Sequence, residues 1–200
     1  MSTEIVTPPR IAPMEPPFDP ETEVRLTRMM PPGVPPIALF RTFVRNAAMT
    51  DAMHTWGSYE LGRRLSLSMR DREIVVDRTC ARCRCEYELG VHVAFFAERV
   101  GLDPRQVASL AGGSADDDCW TDPRDRALIR AVDALHDDAD IPDRLWDELA
   151  SSFTEAHLLD LLLLCGWYHA ISFVATSARV PLEAGAPTFT SLARAAAGAG

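Results

Sequence analysis

Two hundred residues, 47% of them hydrophobic, can bury one sizeable core, which excludes a disordered or fibrous chain. A formal net charge of -9 without any basic stripe argues against nucleic acid and anionic membrane surfaces as partners. The first 20 residues are proline-rich and lack the basic-then-apolar order of a secretory signal, so the expected location is the cytoplasm.

In chain order, residues 1–20 read as an extended arm, because repeated proline forbids helix. Such an arm is suited to wrapping a neighbouring subunit. Helical patterns follow over Glu21 to Met30, closed by Pro31-Pro32-Gly33, and over Ile37 to Ala48. Thr50 is expected to cap a helix through Met53, Trp56 and Tyr59 that ends near Leu67. After a break at residues 68–70, Asp71 is expected to cap a helix carrying Glu73 and Ile74-Val75-Val76. Cys85 to Val100 is helical by period and stops at Gly101. A short helix opens at Asp103-Pro104, and the polar run Gly112 to Asp118 forms a surface loop. Three further helices start at Thr121-Asp122-Pro123, at Pro142 and, capped by Thr154, along the apolar stretch Leu158 to Val174. Asp160 and His169 interrupt that stretch, so it reads as a core helix and not a membrane span. Period-two strands are absent, the fold class is all-α, and the main domain spans 21–183. The tail, 184–200, carries an alanine-rich segment able to form a short helix.

Five cysteines, three of them packed as Cys80, Cys83 and Cys85, are an odd number for a disulfide framework and draw attention to thiol chemistry. On a helix, Cys85, Glu88 and His92 share a face by their spacing of three, four and seven. Glu73, twelve residues before Cys85, can fold back onto the same spot from a preceding helix. A thiol, two carboxylates and an imidazole are the groups that thiolate activation or proton transfer requires.

The strings Arg72-Glu73-Ile74-Val75-Val76 and Cys85-Glu86-Tyr87-Glu88-Leu89-Gly90-Val91-His92 resemble the core motif of the carboxymuconolactone decarboxylase and alkylhydroperoxidase D superfamily. Leu163-Leu164-Cys165-Gly166-Trp167-Tyr168-His169 resembles its second characteristic helix. Glu73 matches the family glutamate, Cys85 the first cysteine of a Cys-x-x-Cys pair, and His92 the histidine. Glu88 stands where the second cysteine belongs. The resemblance implies an alkylhydroperoxidase D-like bundle of about eight helices, homo-oligomers such as trimers or hexamers, a small-molecule substrate and no cofactor.

Three functions follow as expectations. The first is a peroxiredoxin-type hydroperoxide reductase in which Cys85 attacks peroxide, Glu73 and His92 relay protons, and Cys80, Cys83 or an external thiol reductant resolves the sulfenate. The second is a cofactor-independent decarboxylase or isomerase using His92, Glu73 and Glu88. The third is a non-catalytic oligomeric binder. Tyr87 and Tyr168 are candidate pocket residues. No metal is expected, because the single run Cys80-x-x-Cys83-x-Cys85 supplies one knuckle where structural zinc sites draw on two.

Overall fold

The computed structural model describes residues 8–198, so residues 1–7 of the expected arm and the last two residues of the tail lie outside the described residues. Among the described residues there are ten α-helices, one 3-10 turn and no strand: α1 (Pro20–Arg28), α2 (Ala38–Phe43), α3 (Ala47–Glu60), α4 (Met69–Arg82), α5 (Glu86–Phe96), α6 (Pro104–Gly112), α7 (Pro123–Asp138), α8 (Asp143–Ser152), α9 (Glu155–Ala178) and α10 (Phe189–Gly198).

The bundle is organised around α4, which packs against α5, α6, α7 and α9. Every residue from Asp71 to Cys80 is buried. Such burial is affordable for a helix with this many charges only if they are paired. Asp71 accepts from Arg124 Nη2 at 2.8 Å, and Arg72 donates to Glu73. Arg78 forks onto Asp133 at 2.7 and 2.8 Å while also donating to the carbonyls of Leu110 and Gly113. Asp77 has no hydrogen-bond partner.

Several boundaries differ from the sequence reading, each for a local reason. The stretch expected as one helix from Ile37 to Ala48 is broken after Phe43, because the Asn46 side chain accepts from the Met49 N–H and starts α3 afresh. Asn46, not Thr50, is therefore the cap; Thr50 lies inside α3 and its hydroxyl donates to the carbonyls of Phe43 and Asn46. Likewise Ser68, not Asp71, caps α4, and Asp71 closes a capping box with it. Cys85 is the N-cap of α5, and the helix expected to reach Val100 ends at Phe96, followed by a 3-10 turn over Glu98–Val100 and a left-handed Gly101. Asp122 and Pro123 start α7, and Thr154 caps α9 as expected.

The described part of the arm lies along its own chain. Arg10 N–H donates to Ala178 O, Met14 N–H to Arg41 O, and Arg45 Nε to Ala12 O. The tail also folds back: α10 packs on α6, and the Phe189 N–H donates to Glu86 at 2.7 Å. By length and composition α9 could cross a membrane, yet half of its apolar window is buried in the bundle. Its Asp160 accepts from Tyr59 and from the Ser66 hydroxyl and N–H.

Candidate functional site

Helices α4, α5 and α9 meet at an imidazole. Glu73 points from the second turn of α4 toward α5, where its Oε2 lies 2.7 Å from His92 Nδ1. Its other oxygen, Oε1, accepts from Arg72 at 2.6 Å. Arg72 is itself fixed by donation to the Leu61 carbonyl and by stacking over the Phe96 ring at 5.1 Å. On the far side of the imidazole, Nε2 is 3.0 Å from the Tyr168 hydroxyl and 3.7 Å from Glu88 Oε1. The Tyr168 ring meets the imidazole edge-on at 5.0 Å.

The site is buried, and its charges therefore act on one another strongly. Burial works to raise the Glu73 pKa, but His92 and Arg72 outweigh it and the carboxylate is held below its ordinary range. Burial works to lower the His92 pKa, and the Glu73 carboxylate, followed by Glu88 and Asp77, overcomes that and raises it. Burial raises Glu88, and raises Asp77 well above the ordinary carboxylate range, with the Glu73 charge adding to both. Burial and the neighbouring charges thus push one carboxylate's pKa down and those of its two neighbours up.

His92, Glu88 and Tyr168 open onto a cavity of about 370 Å3 whose wall is mostly apolar, with Phe40, Met53, Phe95 and Trp167 among its lining and Arg28 and His54 as further polar groups. This is the usual character of a small-molecule pocket, a largely apolar wall with few polar groups.

Of the residues singled out by sequence, the structure brings Glu73, His92, Glu88 and Tyr168 together. Cys85 is set apart. It begins α5 two turns before His92, about 10 Å along the helix axis, and is absent from the cavity lining. Burial raises its pKa despite the Glu88 backbone N–H and the hydroxyls of Thr176 and Ser172. Cys80 is fully buried, with burial and then Glu88 pushing its thiol well up, and Cys83 is half-buried with its thiol pushed by burial up to about 11. All five cysteines are free. Tyr87, expected at the pocket, turns away from it: its hydroxyl donates to Glu183 at 2.6 Å and accepts from the Leu39 N–H. The spacing that put Tyr87 near the motif also places it one residue off the Glu88–His92 face.

Asp77 and Arg72 carry no role in the sequence reading. Asp77 was within reach of it, since it follows Glu73 by four residues and so shares its face. Arg72 was not, because adjacent residues point apart on a helix, and only the curl of its side chain back onto Glu73 joins them.

No family model matches the sequence, and no curated protein matches it. Solved structures do. A peroxidase-related protein from Ralstonia eutropha described as an alkylhydroperoxidase AhpD core superposes with a TM-score of 0.75 at 15% identity, covering 92% of this chain and 97% of that one. The debrominase Bmp8 gives 0.73 at 14% identity, covering 93% and 97%. A peroxidase-related protein from Silicibacter gives 0.71 at 19% identity, covering 94% and 100%. The chain therefore has the alkylhydroperoxidase D-like all-helical fold, in keeping with the superfamily that its Glu73, Cys85 and His92 motif resembles.

Proposed function

We propose that the protein is a cofactor-independent proton-transfer enzyme, a decarboxylase or isomerase of a small carboxylated lactone or β-keto acid, with His92 as its acid/base residue. The observation that carries this reading is that the imidazole nitrogen not held by Glu73, Nε2, meets the Tyr168 hydroxyl at 3.0 Å and lies near Glu88 where all three residues line the cavity, while no cysteine lines it. Glu73 holds Nδ1 and compensates the imidazolium when Nε2 takes a proton. Glu88, its pKa raised by burial, supplies an acidic proton toward an enolate or carbanion, and the Tyr168 hydroxyl donates to developing negative charge on oxygen. The apolar wall suits the carbon skeleton of such a substrate. Arg28, which lines the cavity and also pairs with Asp51, suits its carboxylate.

The test is a screen of carboxylactones and β-keto acids for carbon dioxide release or isomer formation. On the accepted substrate, His92→Ala is expected to lose about 10²-fold or more in kcat, and Cys85→Ser to stay within a few-fold of wild type. The reverse ranking overturns the proposal.

A second reading, a thiol hydroperoxide reductase using Cys85 with Cys80, Cys83 or an external reductant, is favoured by neighbours named as peroxidase-related. It requires dithiol-dependent hydroperoxide consumption that disappears in Cys85→Ser. The buried, pKa-raised sulfur weighs against it. Either way, the proposal keeps the protein in the cytoplasm, in line with five free thiols.

A further inference from the structure

Outside the residues that line the apolar cavity, three side chains with no shared role in the sequence reading converge. Cys83 closes α4, His136 lies in the last turn of α7 and His169 lies midway along α9, and one donor atom from each falls within 4.8 Å of the others. His136 Nδ1 is 2.9 Å from His169 Nε2 and 4.0 Å from Cys83 Sγ.

Two features suit this cluster to a metal ion. His169 Nδ1 donates to the Cys165 carbonyl at 2.8 Å, so the lone pair is on Nε2, directed into the cluster. Metal-binding histidines are oriented in this way by a carbonyl behind the ring. Cys83 is aimed by the backbone: Arg84, the next residue, is left-handed at φ 53°, which turns the chain sharply and leaves the thiol beside His136. In a tetrahedral zinc site the donor atoms stand about 3.3 Å apart for two nitrogens and about 3.6 Å for nitrogen and sulfur. The His136–His169 and His136–Cys83 separations differ from those values by less than half an ångström, and the Cys83–His169 pair lies within 4.8 Å.

We propose that Cys83, His136 and His169 form a zinc site of three protein ligands with a fourth, open position. A thiolate with two imidazoles is a borderline-soft donor set that favours zinc over magnesium or calcium. His136 also borders a polar cavity of about 530 Å3 lined by Arg78, Arg82 and Arg84, from which water or an anion reaches the fourth position. Arg82 pairs with Asp133 and Asp137, which offsets its charge beside a cation.

Ion entry is a ligand exchange and not a redox step. Zinc takes the lone pair of the Cys83 sulfur as its S–H proton leaves to solvent. It also takes the lone pairs of His169 Nε2 and His136 Nδ1, the latter ring moving its proton to Nε2. The bound ion would tie the end of α4 to α7 and α9, both of which pack against it.

The experiment uses the full chain stripped with a chelator and titrated with Co2+, then with Zn2+. The expected result is one tight equivalent of Co2+ that shows thiolate-to-cobalt charge-transfer absorption and tetrahedral d–d bands, displaced by Zn2+. Cys83→Ser is expected to lose the charge-transfer band, and His136→Asn or His169→Asn to weaken binding by more than about 10-fold. Cys85→Ser and His92→Asn keep the full spectrum, so this result is independent of the catalytic proposal. On unaltered protein, one equivalent of Zn2+ is expected to protect Cys83 from alkylation in peptide mass mapping, a readout that does not depend on any variant folding. Absence of the band, its survival in Cys83→Ser, unprotected Cys83, or loss of binding in Glu73→Gln overturns the site.

Discussion

His92 meets a carboxylate at one nitrogen and the Tyr168 hydroxyl at the other, and that asymmetry governs what its neighbours do. In Glu73→Gln the Nδ1 contact survives as a neutral hydrogen bond, but the charge that raises the His92 pKa is gone. The acid limb of the pH–kcat profile is therefore expected to move to lower pH, with a fall in kcat of about 10-fold or more. A limb that stays in place would show that Glu73 acts only by packing. Glu60, fully buried at the end of α3, has its pKa raised by burial, and then by Asp160, from the ordinary 4.5 to about 7. A carboxyl with a raised folded pKa holds its proton more tightly in the native state. Its stabilising contribution is complete below pH 4.5 and lost as pH rises through about 7. Glu60→Gln is thus expected to flatten the decline of stability over that window and to be more stable than the parent at pH 8, as read by denaturant melts.

Among the helices, α4 and α5 position the site through their ends as much as their faces. Ser68 and Asp71 form the box that starts α4, and Ser68→Ala is expected to cost about 1 kcal/mol, measured by urea unfolding. Gly90 on α5 lies against the returning tail. A Cβ there would stand 2.5 Å from the Pro187 carbonyl oxygen, so Gly90→Ala must push the backbone near Pro187 away. The expected loss is about 1–3 kcal/mol, with increased hydrogen exchange in α10. Glycine at this position was visible in the motif, but its reason was not, because the tail that crosses it is almost a hundred residues distant. The break between α2 and α3 has the opposite character. Asn46 was an available capping residue in the sequence, and the apolar run through Ile37 to Ala48 masked it.

At the level of the whole molecule, α9 presents a stripe of exposed residues, Leu159, Leu163, Gly166, Ala170 and Phe173, spaced alternately by four and three. That is the seam spacing of helices that pack on one another. The homo-oligomer implied by the family resemblance is proposed to use this seam. Sedimentation of Leu163→Glu and Phe173→Glu is expected to show smaller species than the parent, and unchanged mass would remove α9 from the contact.

The amino-acid sequence by itself determined the all-α class, the main helices and the pairing of Glu73 with His92, because helical period and capping chemistry are local and a motif carries its spacing with it. Tertiary structure alone decided which of the aligned groups share a space. Two residues on one helix face can be two turns apart, as Cys85 and His92 are, and Glu183, at the end of the main domain, takes the Tyr87 hydroxyl. The surroundings then sort the carboxylates: His92 and Arg72 hold the Glu73 pKa down against burial, whereas burial pushes those of Asp77 and Glu88 up. Tertiary packing also brings together Cys83, His136 and His169, which lie as far as 86 residues apart in the chain. Proximity of that kind comes from packing both α7 and α9 against α4, and no local pattern encodes it.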